Sequence, residues 1–213
     1  MTVCVLLAHG SPDLRSARLV QETAARVAER LGAPVGAAFL DHDAPDLRAA
    51  VADVDDHEDV VVLPLLLSTA FHARVDVPAA VVALDRDVRL LEPLGHPAAL
   101  LDDLLRGRAT PVVVVAAGTS VAEEREAFRR AVVASSGRTR VPATAAFATG
   151  PGRRIADATR PGGAIVVPWL LAPGRLLDSV HEAATSHACA TSGDGLLREP
   201  GLLDVLVARL RLG

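Results

Sequence analysis

Three short apolar motifs occur twice in this chain, in the same order and at nearly constant spacing. Leu6-Leu7-Ala8-His9-Gly10-Ser11 returns 108 residues on as Val114-Val115-Ala116-Ala117-Gly118-Thr119, and Ala38-Phe39-Leu40-Asp41 returns at the same offset as Ala146-Phe147-Ala148-Thr149. Val61-Val62-Leu63-Pro64-Leu65-Leu66-Leu67 returns 104 residues on as Ile165-Val166-Val167-Pro168-Trp169-Leu170-Leu171. Order and spacing kept over three motifs indicate an internal duplication. The expected division is 1–108 and 109–213, with residues 107–111 as the linker. Each half is then about 100 residues long, enough for a small core of its own.

The periodicity gives the fold class. Apolar runs of four to eight residues, bounded by Gly or Pro, alternate with amphipathic stretches, the pattern of parallel strands covered by helices. Strands are expected at 3–8, 34–40, 60–67, 88–91, 112–117, 141–147, 164–171 and 187–191. Helices are expected at 13–31, with Gly32 as the C-terminal cap, and at 45–54, 76–84 and 97–106, with matching segments later. The expectation is α/β: two similar doubly wound parallel-sheet half-domains with a cleft between them.

Composition removes several function classes. Half of the residues are hydrophobic, so the chain can bury a core and disorder is not expected. The apolar runs fall far short of the roughly 20 residues of a membrane helix, and the start of the chain carries no basic leader, so the expected location is the cytoplasm and no membrane partner is expected. A net charge of -4, with four Phe, one Trp and no Tyr, leaves little to hold or stack nucleic acid. Cys4 and Cys189 have no metal-binding spacing and read as buried thiols. Gly150-Pro151-Gly152 lacks the glycine spacing of a dinucleotide loop, and no serine stands in a nucleophile elbow, so no organic cofactor is expected.

Ligands of doubly wound sheets bind at the carboxyl ends of the strands, near the point where strand order reverses. His9 follows the first expected strand, Asp41 the second and His72 the third. The copy has Ala117, Thr149 and Leu176 at those positions, so one half keeps three metal-competent side chains and the other keeps the scaffold. Imidazole suits iron, cobalt, nickel and zinc, and a carboxylate completes an open site. An open site can give its metal up, where a closed four-ligand cage would trap it. Asp41 could instead cap the helix expected near Pro45, and His42 would point elsewhere if the strand continued. Ser11 before Pro12 reads as a helix cap, and Gly10 as a tight turn. His57, His96, His181 and His187 read as solvated or loop residues.

The ordered motifs Leu6-Leu7-Ala8-His9-Gly10-Ser11, Ala38-Phe39-Leu40-Asp41 with Pro45, and the run from Val62 through Ser68-Thr69-Ala70-Phe71-His72-Ala73-Arg74 to Pro78 resemble the sirohydrochlorin chelatase family of class II tetrapyrrole chelatases. The second half is similar to the degenerate repeat of its long two-domain members. The resemblance implies ATP-independent insertion of a divalent metal into sirohydrochlorin, Fe2+ giving sirohaem or Co2+ giving cobalt-sirohydrochlorin. His9 and His72 map onto the family's metal-handling histidines, and Asp41 stands where many members carry glutamate. Metal is then a substrate, and the tetrapyrrole is the partner. Gly10, Ser11, Arg74, Arg153, Arg154 and Arg175 are candidate contacts to the ring and its carboxylates, arginine being the better bidentate partner. With a second lobe in the same chain, a monomer is expected. Two other readings of the same site are a non-catalytic metal or tetrapyrrole carrier and a metal-assisted hydrolase.

Overall fold

The structure, a computed structural model, describes residues 1–68, 75–159 and 163–212. The chain divides into two compact units, Met1–Gly95 with Leu203–Gly213, and His96–Leu202.

The first unit runs β1 (Thr2–Ala8), α1 (Leu14–Leu31), β2 (Val35–Phe39), α2 (Leu47–Val51), β3 (Asp59–Pro64), α3 (Val77–Val82) and β4 (Arg89–Leu90). Its four strands are parallel in the order β2-β1-β3-β4. Val5, Leu6, Leu7, Val61, Val62 and Leu63 are all at most 1% exposed. Strands covered on both faces select the near-continuous aliphatic runs seen here, rather than an alternation of apolar and polar. Cys4 lies within β1 and is buried among them, which pushes its thiol above its usual range, with nearby Arg89 opposing. α1 turns Leu19, Val20, Thr23, Ala24 and Val27 inward at helical spacing. It begins at Asp13, whose carboxylate accepts the Arg15 N–H at 3.0 Å, and stops at Gly32, which takes a left-handed φ of 73° and donates its N–H to Ala28 O.

The second unit contains α4 (Ala98–Leu105), β5 (Val112–Ala116), α5 (Ala122–Thr139), β6 (Ala143–Phe147), α6 (Ile155–Ala158), β7 (Ile165–Trp169), α7 (Arg175–Ser186) and β8 (Ala190–Thr191). Its sheet order, β6-β5-β7-β8, repeats the first. The cores correspond as well. Val5, Leu7, Ala38, Leu47 and Val62 cluster in one unit, and Val113, Val115, Ala146, Ile155 and Val166 occupy the matching places in the other. Cys189 is buried in that second core. Backbone bonds are copied too: Cys4 N–H to Pro34 O at 2.9 Å matches Val112 N–H to Pro142 O at 2.8 Å, and Gly95 N–H to Leu66 O at 3.0 Å matches Leu196 N–H to Leu170 O at 2.8 Å.

Several elements are shorter than periodicity predicts. β3 ends at Pro64 and β6 starts after Pro142. The expected strand 187–191 shrinks to two residues because His187 caps α7 and Ala188 adopts a left-handed φ of 53°. The last helix, α8 (Pro200–Leu212), begins in the second unit, and its residues from Leu203 belong to the first. There Asp204 pairs with Arg30 at 2.7 Å. In the second unit α4 packs on α5, where Asp102 takes bonds from Ser135 Oγ at 2.6 Å and Arg138 Nε at 2.8 Å. Among the described residues no helix is long and apolar enough to cross a membrane.

Candidate metal and substrate site

β1 lies between β2 and β3, so the chain leaves it first to one side and then to the other. In doubly wound sheets, ligands bind outside the carboxyl ends of the strands at such a reversal. His9 stands there, one residue past β1, and Asp41 stands two residues past β2. The two loops are bonded to each other as they leave the sheet: Leu40 N–H donates to Ala8 O and Asp41 N–H to His9 O, both at 2.9 Å.

Gly10 makes the crossing possible. Its φ is +94°, and a Cβ placed on it would lie 1.8 Å from the Asp41 carbonyl oxygen. The space beside Gly10 is thus filled by the Asp41 backbone. Ser11 is not the helix cap. That position belongs to Asp13, and the Ser11 hydroxyl accepts the Asp13 N–H at 3.2 Å. The Ser11 N–H donates to Asp43 Oδ2 at 2.9 Å, a third hydrogen bond between the loops that no sequence motif announces. Asp41 does not cap α2 either, because Asp46 does so through Ala49 N–H at 2.7 Å. The Asp41 carboxylate accepts the His42 N–H at 2.8 Å and is 63% exposed.

His42 departs from expectation. The strand stops at Phe39, and the chain turns through a left-handed φ of 63° at His42, which swings the ring back toward His9. The two imidazoles meet edge to face with centroids 6.3 Å apart, and His42 Nε2 is 3.5 Å from Asp41 Oδ2. Among the described residues no group of three or more His, Cys, Asp or Glu side chains is gathered as a formed metal cage. His72 and Arg74 lie outside the described residues.

In the second unit the same crossing is built without ligands. Ala148 N–H bonds Ala116 O and Thr149 N–H bonds Ala117 O, both at 2.8 Å, and a Cβ on Gly118 would lie 2.1 Å from Thr149 O. The Thr149 hydroxyl donates to Ala117 O at 2.8 Å, while Ala117 and Leu176 pack against the core. The Thr149 hydroxyl at this crossing is therefore used internally.

The CbiX family model matches residues 3–110. The chain belongs to the CbiX family. Among solved structures, the CbiX described as the terminal enzyme for biosynthesis of siroheme in denitrifying bacteria is 24% identical, with 99% of each chain covered and a TM-score of 0.78. The sirohydrochlorin chelatase SirB from Bacillus subtilis subspecies spizizenii, in complex with cobalt, is 18% identical over 99% of this chain and 94% of its own, with a TM-score of 0.75. DR2241 from Deinococcus radiodurans, a multi-domain protein with structural similarity to chelatases, is 20% identical over 98% of this chain and 54% of its own, with a TM-score of 0.77. No curated protein matches the chain. The fold is the chelatase fold, two parallel four-stranded sheets flanked by helices.

The remaining candidates fall at the carboxyl end of the second sheet. Arg153 and Arg154 follow β6 and are exposed, Arg153 donating to Asp157 O at 3.2 Å. Arg175 is the exposed first residue of α7. His96, expected to be solvated or in a loop, lies in the loop before α4 but is largely enclosed, its ring 5.1 Å from that of Phe128 and 6.2 Å from that of Trp169. Burial pushes its imidazole below the usual value, and Glu124 works against that shift. His187, at the end of α7, places Nδ1 2.7 Å from Ala183 O.

Proposed function

We propose that this CbiX-family protein is a cytoplasmic sirohydrochlorin chelatase that inserts Fe2+ to give sirohaem. The observation that carries the reading is the crossing of the His9 and Asp41 loops at the carboxyl end of the first sheet, where the matching crossing of the copy has Ala117 and Thr149 instead. His9 and His72 hold the metal and Asp41 adds a carboxylate, so that the copy within 1–108 handles the metal and the copy within 109–213 serves the ring. Neutral imidazoles and one carboxylate bind a divalent ion firmly enough to strip water and loosely enough to surrender it to four ring nitrogens. Insertion displaces two pyrrole protons, and an imidazole with a pKa near about 6.5 can accept one at neutral pH. The Gly10-Ser11 turn borders the ring, and Arg74, Arg153, Arg154 and Arg175 pair with its carboxylates.

A second reading, with Co2+ as the metal, is favoured by the cobalt bound to the structurally similar SirB. Anaerobic mixing with sirohydrochlorin and either ion, followed by visible absorption, tests both. Insertion well above the protein-free rate is expected, with His9→Ala and His72→Ala returning it to that rate. The rate should also fall as pH drops through the imidazole range, because a protonated ring cannot ligate. A wild-type rate equal to the protein-free one sinks the enzyme reading and leaves the carrier.

A further inference from the structure

We propose that Arg125 binds a carboxylate of the tetrapyrrole, as the anchored member of a basic rim that the second copy carries where the first is acidic. The inference rests on the chelatase reading and adds a residue to its substrate contacts.

The two copies align closely around this rim. α1 and α5 are both 18 residues long and start 108 residues apart, and the bond from Phe39 N–H to Pro45 O at 2.9 Å returns as Phe147 N–H to Arg153 O at 2.9 Å. One offset therefore holds through the loops that follow the first and second strands of each sheet. At that offset Asp41, Asp43 and Asp46 of the first copy become Thr149, Pro151 and Arg154, while its Ala17 and Pro45 become Arg125 and Arg153. Three carboxylates are replaced by three guanidiniums at the carboxyl end of the second sheet, the end where ligands of such sheets bind. A rim of carboxylates suits a cation, and a rim of guanidiniums suits a ring that bears carboxylates.

Arg125 differs from its two neighbours in being held. Arg153 and Arg154 are exposed, whereas Arg125 is half-buried, one turn before Phe128 on the face of α5 that also buries Val132. Its Nη1 donates to Thr119 O at 2.7 Å, which fixes the guanidinium against the loop after β5. The loop after β6 closes on it from another side. A Cβ on Gly152 would lie 2.7 Å from the Phe147 ring and 3.5 Å from Arg125 Cδ, so the missing side chain lets that loop lie along the arginine stem. One of the five guanidinium N–H groups is thus used, and among the described residues no carboxylate pairs with the others. The acids of the same helix are turned elsewhere: Glu126 pairs with Arg129 at 3.4 Å, Glu124 acts on His96, and Glu123 shares the exposed face of Glu126 and Arg130. A guanidinium already immobilised gives up little freedom on meeting a carboxylate, so it contributes more than a free surface arginine.

The test uses the full chain and metal-free sirohydrochlorin under anaerobic conditions, with binding followed by the fluorescence of the ring at rising KCl. Arg125→Met keeps an apolar stem and removes the charge, and Arg125→Gln removes the charge but keeps an amide donor; melting curves check that each is folded. Both should bind the ring at least about tenfold more weakly at low salt, with a shallower fall in affinity as salt rises, and both should bind Co2+ alone as the wild type does. Wild-type affinity for the ring in these variants would overturn the proposal alone. So would a weaker affinity that keeps the wild-type salt dependence, the mark of a displaced loop rather than of a lost charge contact. Failure of the wild-type chain to bind the ring would overturn it together with the chelatase reading.

Discussion

Substituting Gly10 and its counterpart Gly118 by alanine separates the cost of the loop crossing from its chemistry. A Cβ on Gly10 meets the Asp41 carbonyl oxygen at 1.8 Å and its carbon at 2.9 Å, and on Gly118 it meets the Thr149 oxygen at 2.1 Å and carbon at 2.9 Å. Oxygen and methyl cannot stay closer than ordinary contact, so in each case the two loops must part by more than an ångström. The positive φ adds about 1–2 kcal/mol for an L residue, and forcing a methyl into filled space adds about 1–3 kcal/mol. Each variant should therefore lose about 2–5 kcal/mol, several degrees of melting temperature for a chain of this size. The chemical consequences should differ. Gly10→Ala moves Asp41 away from His9 and weakens Co2+ binding, while Gly118→Ala moves only Thr149 and leaves binding at the wild-type level. Melting curves and a Co2+ titration on the two proteins decide the matter. Equal loss of binding in both, or unchanged stability in Gly10→Ala, would refute the reasoning.

Two further outcomes concern the second unit. His96 resists a proton in the folded state while the unfolded chain takes one up, so its contribution to stability is complete above about pH 6.5 and is lost as pH falls below it; His96→Leu should flatten the change in melting temperature between pH 7.5 and 5.5, and an unchanged slope would remove His96 as its source. The bond from Arg138, with a second from Ser135, holds the Asp102 carboxyl below the usual range, so the stability it lends is present above that range and disappears as the carboxylate is protonated. Asp102→Ala strips the fully buried Ser135 hydroxyl of its acceptor and should cost about 1–3 kcal/mol in urea denaturation, a loss under about 0.5 kcal/mol counting against the assignment.

The strand cores and the duplication were readable because doubly covered parallel strands need unbroken aliphatic runs, and this chain supplies them twice. Gly32 was readable as a helix stop for a similar reason, since little else takes its backbone angle cheaply. Errors arose where one residue type serves several local geometries. Ser11, Asp13, Asp41 and Asp46 are all competent caps, and only the loop path decides that Asp13 and Asp46 act as such. Nothing about a histidine announces a left-handed backbone, so His42 was expected to follow the strand; its alignment with Gly150 in the repeat was the available signal. The burial of His96 depends on which core its segment joins, and hydrophobic periodicity carries no information on that choice. The same holds for α4 and α8.

The placement of those two helices sets an order of assembly on the ribosome. The unit that carries His9, Asp41 and His42 includes residues from Leu203 onward, where Asp204 pairs with Arg30. The segment that emerges first is thus among the last to be finished. Its sheet can form early, but the residues that complete the unit follow the whole of the second unit along the chain. The second unit, by contrast, is contiguous from His96 to Leu202 and can be completed before the first.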